Sequence, residues 1–291
     1  MRISLNITNY SWPAGPAGLG AELGRVARAA DEAGLHTVWV ADHLLQADPT
    51  SSPDAEMLEA YTTLGFFAAH TERVRLGAMV SAVTYRPPAL LIKAVSTLDV
   101  LSGGRAWLGI GAGYHNDEAR AMGLALPPTA QRFARLEETL QLARHMWAGH
   151  ASAFAGRHYQ LAHPVSSPQP LTRPRPPILI GGMGDHKTLP LVARYADACN
   201  LFDIPDGGQT IRRKLAVLAE HCDTQGRPYD EIDKTVSTRL EPGETPQQFA
   251  HRCAALAEFG IEHVVVITTG PWTEDGIASL GTAAAAVDAH T

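Results

Sequence analysis

An acid and an imidazole, Asp42 and His43, follow directly after an apolar run at residues 37–41. The C-terminal ends of parallel strands face the active site, so this pair could exchange a proton with a substrate there. An Asp-His pair at a strand end is also typical of a capped turn, because Asp accepts hydrogen bonds from backbone N–H groups. The surrounding elements have to decide between these two interpretations.

Two glycine-rich turns could bind a ligand. Residues 109–113 read G-x-G-x-G after a predicted strand, but this spacing and the acids at 117 and 118 disfavour a dinucleotide site. Glycines there would let a flat group lie close to the backbone. The second turn, 181–184, precedes Lys187 and Thr188 at a predicted helix start, which suits a phosphate. A plain tight turn with a solvated lysine explains the same residues equally well.

Other chemistries lack their patterns. The 13 histidines form no H-E-x-x-H pair, so we expect no metal site. There is no G-x-S-x-G, and the three cysteines are far apart without a C-x-x-C, which is typical of reduced thiols in a cytoplasmic protein. A net charge of −6 argues against a nucleic-acid or anionic-membrane surface. We find neither a signal-peptide pattern nor an apolar run of about 18 residues.

The hydrophobic pattern predicts strands and helices in strict alternation. The expected strands cover 2–7, 37–41, 74–80, 106–110, 178–180, 198–202, 235–238 and 263–267. The expected helices cover about 19–34, 57–71, 87–102, 130–147, 186–195, 208–224, 245–259 and 273–289. This order predicts an α/β chain that forms a single (β/α)₈ TIM barrel over residues 1–291. A doubly wound eight-stranded sheet is the alternative. Residues 151–176 interrupt the alternation as an insertion with a short hairpin at 154–161, after the fourth helix.

Five segments resemble a known family. They are TVWVADHLLQ (37–46), MLEAYTTLGFFAAHTERVRLGAMVSAVTYRPPALLIKAVSTLDVLSGGRAWLGIGAGY (57–114), QRFARLEETLQLARHMW (131–147), FAGRHYQL (154–161) and RPPILIGGMGDHKTLPLVARYADACNLF (175–202). With the N-terminal helix they cover nearly the whole chain in order. The sequence resembles the luciferase-like monooxygenase superfamily, specifically the actinobacterial luciferase-like F420-dependent oxidoreductases.

The resemblance implies a TIM barrel with the ring of coenzyme F420, or alternatively of FMN, at its C-terminal mouth. Asp42 and His43 match the acid and the imidazole beside the ring, where the histidine gives or takes a proton. Met79-Val80 matches a bulge in which relatives carry a non-prolyl cis peptide bond. Gly181, Gly182 and Met183 match the loop that approaches the ribityl chain and the phosphate. The further cofactor contacts that it implies are Thr84, Gly111, Gly113 and Asn200, and the glycine-rich turn itself adds Lys187 and Thr188.

Some residues depart from the family pattern around the expected substrate pocket. Tyr114 stands where close relatives often have Trp, and Leu44 and Leu45 follow His43 where relatives often have Phe. Relatives that oxidise sugar phosphates place a glutamate near the position of Tyr114 as a proton donor, and this chain has none there. We expect Trp12, Leu44 and Tyr114 to shape the pocket, and the resemblance does not define the substrate.

The resulting hypothesis is an F420-dependent oxidoreductase that transfers hydride between the deazaflavin and a small organic substrate. A deazaflavin has a carbon where a flavin has a nitrogen, so it moves hydride and does not activate oxygen. The alternatives are an FMN-dependent monooxygenase that uses reduced flavin and oxygen, and a non-catalytic flavin- or deazaflavin-binding protein. We expect a cytoplasmic homodimer, since relatives are commonly homodimers, with no nucleic-acid or membrane partner.

Overall fold

The computed structural model describes residues 1–48 and 51–288. Its strands are β1 (Arg2–Ile7), β2 (Thr37–Val40), β3 (Arg75–Ala78), β4 (Ser81–Ala82), β5 (Leu108–Gly111), β6 (Phe154–Ala155), β7 (Gln160–Leu161), β8 (Ile178–Gly181), β9 (Ala198–Phe202), β10 (Asp233–Arg239) and β11 (His263–Ile267). Its helices are α1 (Gly15–Glu32), α2 (Ala60–Ala68), α3 (Pro88–Leu101), α4 (Asn116–Ala121), α5 (Thr129–Trp147), α6 (Thr188–Tyr195), α7 (Gln209–Gln225), α8 (Pro246–Glu258) and α9 (Glu274–Asp288), with a 3₁₀ turn at Tyr229–Glu231.

The main sheet closes on itself. Within the described residues its nine strands are parallel and follow the order β3-β2-β1-β11-β10-β9-β8-β5-β4. The two end members, β3 and β4, are consecutive in the chain and are separated only by Met79 and Val80. A parallel bridge between Leu76 and Ala106 also joins β3 to the segment before β5. β3 and β4 are therefore two halves of the third barrel strand. The predicted TIM barrel is confirmed, and the doubly wound alternative is wrong.

Packing inside the barrel explains why positions 77 and 109 are glycines. Trp39 and Trp107 are buried in the barrel interior, with their rings 5.7 Å apart. A Cβ on Gly77 would lie 2.6 Å from the Trp39 ring, and one on Gly109 would lie 1.9 Å from the carbonyl oxygen of Ala78. These contacts are far too short, so both positions need glycine for packing.

The outer core lies between the barrel and its helices. On α1 the buried side chains recur at helical spacing, from Leu19 and Leu23 to Val26 and Ala30, and they face the strands. Thr37–Val40 is buried at every position, as a parallel strand covered on both faces should be. The amphipathic pattern therefore fixes which side of each helix faces the barrel.

The insertion contains the predicted hairpin, in which β6 and β7 pair in antiparallel fashion. The carboxylate of Glu138 on α5 accepts hydrogen bonds from the backbone N–H groups of Arg157, His158 and Tyr159 at its turn. The six-residue helix α4 was not predicted, and the third strand, expected to run unbroken over 74–80, is split. The expected end of the last helix at 289 and of the domain at 291 lie outside the described residues.

No helix found in residues 1–48 and 51–288 combines the length and the apolar character that crossing a bilayer requires.

Candidate active site

A cavity of about 550 Å³ opens at the C-terminal ends of the barrel strands. Its volume is within the range of small-molecule binding pockets, which is about 300–1,000 Å³. The structure brings eleven of the predicted site residues together on its wall: Asp42, His43, Met79, Val80, Gly111, Gly113, Tyr114, Gly181, Gly182, Thr188 and Asn200.

The carboxylate of Glu118 contacts the imidazole ring of His43. The Nδ1 atom of His43 lies 2.8 Å from Oε2 of Glu118, whose side chain is 1% exposed. The other oxygen of Glu118 accepts the N–H groups of Leu44 at 2.5 Å and Leu45 at 3.1 Å. The Tyr85 hydroxyl also donates to this carboxylate. Four donors from two strand ends therefore fix one buried carboxylate beside the imidazole.

The charges and hydrogen bonds of this cluster define which ring nitrogen of His43 is available to exchange a proton. Burial alone would raise the pKa of Glu118, but hydrogen bonds from His43, Tyr85 and Leu45 outweigh it and lower the pKa to about 2. Glu118 is thus a carboxylate at neutral pH and only accepts hydrogen bonds. Nδ1 of His43 therefore carries a hydrogen, and Nε2 is the nitrogen available to exchange a proton. Burial and the bond to Glu118 raise the pKa of Tyr85, which stays a neutral donor.

Asp42 has a different environment from its neighbour. Its side chain has no exposed surface, and both of its carboxylate oxygens bind Arg86, at 2.5 and 2.9 Å. The same guanidinium binds Glu59 at 2.5 Å and lies 4.9 Å from the centre of the Tyr61 ring. Such a bidentate pair fixes the strand end in place. The expectation that Asp42 contacts the ring or moves a proton stays a prediction, and its carboxylate is already engaged.

Val80 and two glycines build one wall of the cavity. The Met79–Val80 peptide bond is cis, as the family resemblance implied. A Cβ on Gly181 would lie 2.8 Å from Cγ2 of Val80, and one on Gly111 would lie 3.0 Å from the same atom. These glycines make room for the branched Val80 side chain. The expectation that the glycines at 109–113 let a flat group lie close to the backbone stays a prediction.

Two predicted residues lie away from the cavity wall. Trp12 is buried, and its indole N–H donates to the carbonyl oxygen of Trp272 at 3.0 Å. Core packing holds the Trp12 ring away from the cavity wall, and its assignment to the substrate pocket stays a prediction. Lys187 is exposed directly before α6 and is not part of the wall, whereas the neighbouring Thr188 is. The half-buried loop residue Gly182, with φ of +111°, makes the turn between β8 and α6.

Three more predicted residues lie just behind the cavity wall. Leu44 acts through its backbone N–H on Glu118. The Met183 sulfur accepts the N–H of Phe202 at 3.3 Å. The Thr84 hydroxyl is buried and has no hydrogen-bond partner among the residues that the structure describes.

Sequence reasoning missed Glu118, Tyr85 and Arg86 as members of the site. Tyr85 and Arg86 lie directly before the helix predicted over 87–102, and Glu118 counted only as an acid that argued against a dinucleotide site. Glu118 lies on the short helix α4, whose first N–H groups include one capped by the His115 side chain at 3.1 Å. No spacing rule links position 118 to position 43, so the sequence offered no signal for this contact.

No group of three or more metal-ligating side chains occurs in the described part of the chain.

Comparison with known proteins matches residues 1–283 to the family model described as luciferase-like monooxygenase. The F420-dependent glucose-6-phosphate dehydrogenase of Kineococcus radiotolerans is 34% identical over 228 residues. That match covers 75% of this chain but only 63% of the dehydrogenase, so the chain spans less than two thirds of this relative's length.

Solved structures share the fold. An F420-dependent secondary alcohol dehydrogenase in complex with an F420–acetone adduct superposes with a TM-score of 0.83 at 17% identity, covering 98% of both chains. A monooxygenase from Streptomyces bottropensis superposes with a TM-score of 0.82 at 19% identity, covering 100% of this chain and 99% of the other. Because the family model extends over almost the entire sequence, the chain belongs to the luciferase-like monooxygenase family.

Proposed function

We propose that the protein is a coenzyme F420-dependent oxidoreductase that exchanges hydride with a small organic substrate. The observation that carries the proposal is the couple between His43 and the ionised Glu118 at the edge of the cavity. It gives the site one nitrogen that can take a proton from a hydroxyl or return it to a carbonyl. Hydride transfer to or from an alcohol carbon needs this proton exchange.

The residues present fit a flavin-like cofactor. The cavity is large enough for a ring system, and Val80 offers it an apolar wall. The Thr84 hydroxyl oxygen is buried beside Gly113 and has no hydrogen-bond partner among the described residues. Unsatisfied buried polar atoms are uncommon in native proteins and indicate that a ligand belongs there.

Each group of the chain has a distinct task in this proposal. When bound, the deazaflavin supplies a carbon that gives or takes hydride. Met79, Val80, Gly181 and Thr188 would hold it on the β4–β8 side of the cavity. His43 moves a proton through Nε2, and Glu118 stabilises the imidazolium that forms when His43 has taken the proton. The apolar walls exclude water and strengthen these interactions.

The names of the relatives support F420 as the cofactor, since the Kineococcus radiotolerans protein and one structural neighbour are called F420-dependent. The FMN-dependent monooxygenase remains the second candidate, because the family model is described as a monooxygenase and another neighbour is one. The cytoplasmic location and the homodimer remain predictions from the sequence and the resemblance.

Binding separates the two candidates. The purified protein is titrated with F420 and, separately, with FMN, and the fluorescence of each is followed. We expect saturable F420 binding and no comparable FMN binding, together with hydride exchange under anaerobic conditions. Tight FMN binding without F420 binding would overturn the proposal in favour of the monooxygenase. Binding of either without turnover of any alcohol or ketone would favour the non-catalytic alternative.

A further inference from the structure

The cavity has a second side, opposite the Val80 wall. It is formed by the ends of β1, β11 and β10, with Asn6, Ile267 and Arg239 at the cavity, and by the loop after β2. The sheet order places these strands across the barrel from β4, β5 and β8. We call this surface, made by Asn6, Gln46, Asp48, Arg239 and Ile267, the β1 side. A cofactor held on the Val80 wall leaves the β1 side to the substrate.

Gln46 presents a fixed, unsatisfied donor on the β1 side. Gln46 is 7% exposed, and its Oε1 accepts a hydrogen bond from the backbone N–H of Asp48 at 2.9 Å. An N–H group needs an acceptor, so this bond fixes the orientation of the carboxamide and leaves its NH₂ group turned away from Asp48. Nε2 is buried and has no hydrogen-bond partner among residues 1–48 and 51–288.

Asn6 presents the complementary acceptor. It is 4% exposed, and its backbone carbonyl is held by the indole N–H of Trp272 at 2.9 Å. Its side-chain Oδ1 is buried and unpartnered in the described structure. Burying a donor or an acceptor without a partner is unfavourable, so two on one cavity side indicate a ligand group that satisfies them.

The charge on the β1 side does not suit a phosphate. Among the described lining residues the cations are Arg132 and Arg239. Arg239 lies 3.8 Å from the Asp48 carboxylate, which offsets its charge. Arg132 belongs to the other side, where it donates to the carbonyl oxygen of Gly113 at 2.7 Å. A phosphate dianion is usually held by uncompensated arginines, lysines or a helix N-terminus.

We propose that Gln46 and Asn6 form a substrate subsite for a neutral hydroxyl or carboxamide group. The substrate is then a neutral, largely apolar molecule and not a sugar phosphate, since the apolar residues Ala47, Met57 and Phe202 also line the cavity. A hydroxyl or a carboxamide both accepts and donates, so it can satisfy Gln46 and Asn6 together. This inference rests on the proposed function only in taking the Val80 wall as the cofactor side.

Calorimetric titration tests the subsite with four probes: trans-4-hydroxycyclohexanecarboxamide, its carboxylate analogue, cyclohexanol and glucose 6-phosphate. Each is titrated into the protein alone and into the protein saturated with F420. We expect the carboxamide to bind about tenfold more tightly than cyclohexanol and than the carboxylate, a gain typical of one or two buried hydrogen bonds. We expect no measurable binding or oxidation of glucose 6-phosphate.

Three variants assign the effect to the two amides. Gln46→Met and Asn6→Leu should each remove most of the carboxamide advantage. F420 affinity should change by less than about twofold, whereas a lost hydrogen bond to the cofactor would lower it by about twofold or more. Gln46→Glu keeps an acceptor for the Asp48 N–H but replaces the NH₂ donor with a charged oxygen, so it should give the same loss even if Gln46→Met disturbs the loop. Gln141→Met is the matched control, because Gln141 binds Tyr195 away from the cavity.

Equal affinity for cyclohexanol and the carboxamide, or preferred binding of glucose 6-phosphate, would overturn the inference. So would a loss of F420 affinity in the Gln46 and Asn6 variants, because the amides would then serve the cofactor. Titration of the protein alone reads the subsite even if F420 fails to bind, so the proposed function and this inference can fail separately.

Discussion

Two side chains that lie 75 positions apart, His43 and Glu118, carry the proton chemistry that we propose for the cavity. His43 follows β2, and Glu118 comes from α4. Because Glu118 is ionised, it fixes the position of the hydrogen on the imidazole and orients the ring. His43 therefore has the orientation and the charge partner that a general base or acid requires.

Replacing His43 with alanine should lower kcat for hydride exchange by about 10²–10⁴, the usual contribution of a general acid or base. F420 affinity should change little, because Val80 and Gly181, and not the imidazole, form the proposed cofactor side of the cavity. Stopped-flow absorbance of F420 measures the hydride step directly. His150→Ala, at an exposed position beyond α5, is the control. An unchanged hydride rate in His43→Ala would remove the proton role from the proposal.

Glu118→Gln should lower kcat for alcohol oxidation, because an amide holds the imidazole ring less firmly than a carboxylate. The amide can also donate to Nδ1 of His43, which moves the ring hydrogen to Nε2 and removes the acceptor for the substrate proton. Steady-state kinetics measures kcat, and urea unfolding measures stability. Glu137→Gln is the matched control, since Glu137 binds Arg194 and Tyr195 on the outside of the barrel. A loss of stability with an unchanged kcat would mean that Glu118 is only structural.

Only part of the site could be predicted from the sequence. Asp42 and His43 could be predicted because they end an apolar strand in a chain of alternating strands and helices. Glu118 and Gln46 could not, since their importance comes from burial and from contacts with distant residues. A buried glutamate and an exposed one look identical in a single sequence.

The third barrel strand is the element that shapes the cavity. Gly181→Ala should destabilise the fold by about 1–3 kcal/mol, because its Cβ would lie 2.8 Å from Cγ2 of Val80. Val80→Ala removes the colliding atom, so the double variant should lose less stability than the two single changes added together. Urea unfolding of the four proteins measures this coupling.

The matched control is Gly65→Ala. Gly65 lies inside α2, and a Cβ added there would meet no atom within 4 Å, so alanine should stabilise the helix by up to about 1 kcal/mol. Additive losses at Gly181 and Val80 would show that the collision does not occur.

The hairpin of the insertion depends on Glu138. Its carboxylate accepts three backbone N–H groups at the turn, and its removal leaves them to water. Glu138→Ala should therefore speed amide hydrogen exchange in residues 154–161 by about tenfold or more, with little change in global stability. Unchanged exchange in this segment would assign hairpin stability to other contacts. Glu137→Ala serves as the control on the same helix.

Elements with long periodic patterns could be predicted closely, and short or interrupted ones could not. The helix expected at 130–147 is observed at Thr129–Trp147, and the strands at 198–202 and 263–267 agree in full. The six residues of α4 are too few for a periodic signal. The break in the third strand at Met79 and Val80 is invisible in an apolar run.

For the whole molecule, eight strand–helix units predict a barrel, but the order of the strands comes only from the closed pairing. Closure also buries His263 and half-buries His36 at the end opposite the cavity. The His36 and His263 rings lie 4.8 Å apart, and His263 Nε2 is 2.6 Å from the Ser4 hydroxyl oxygen. Burial, and then the charges of Arg2 and Arg75, lower the pKa of His36 to about 4. Burial also holds the pKa of His263 well below 6.5.

These two histidines should make the barrel less stable in mild acid. Their pKa values are lower in the folded state than the ordinary 6.5, so between pH 6.5 and about 4 the unfolded chain binds more protons. The free energy of unfolding should therefore fall as the pH falls through this window, with about 3 kcal/mol from His36. Glu118 adds a separate loss of stability below pH 4.5, where its carboxylate begins to be protonated in the unfolded chain.

His36→Asn should flatten the slope of unfolding free energy against pH between pH 6.5 and 4.5 in urea unfolding, and His150→Asn should not. An equal slope in His36→Asn and the parent protein would show that His36 does not titrate with unfolding.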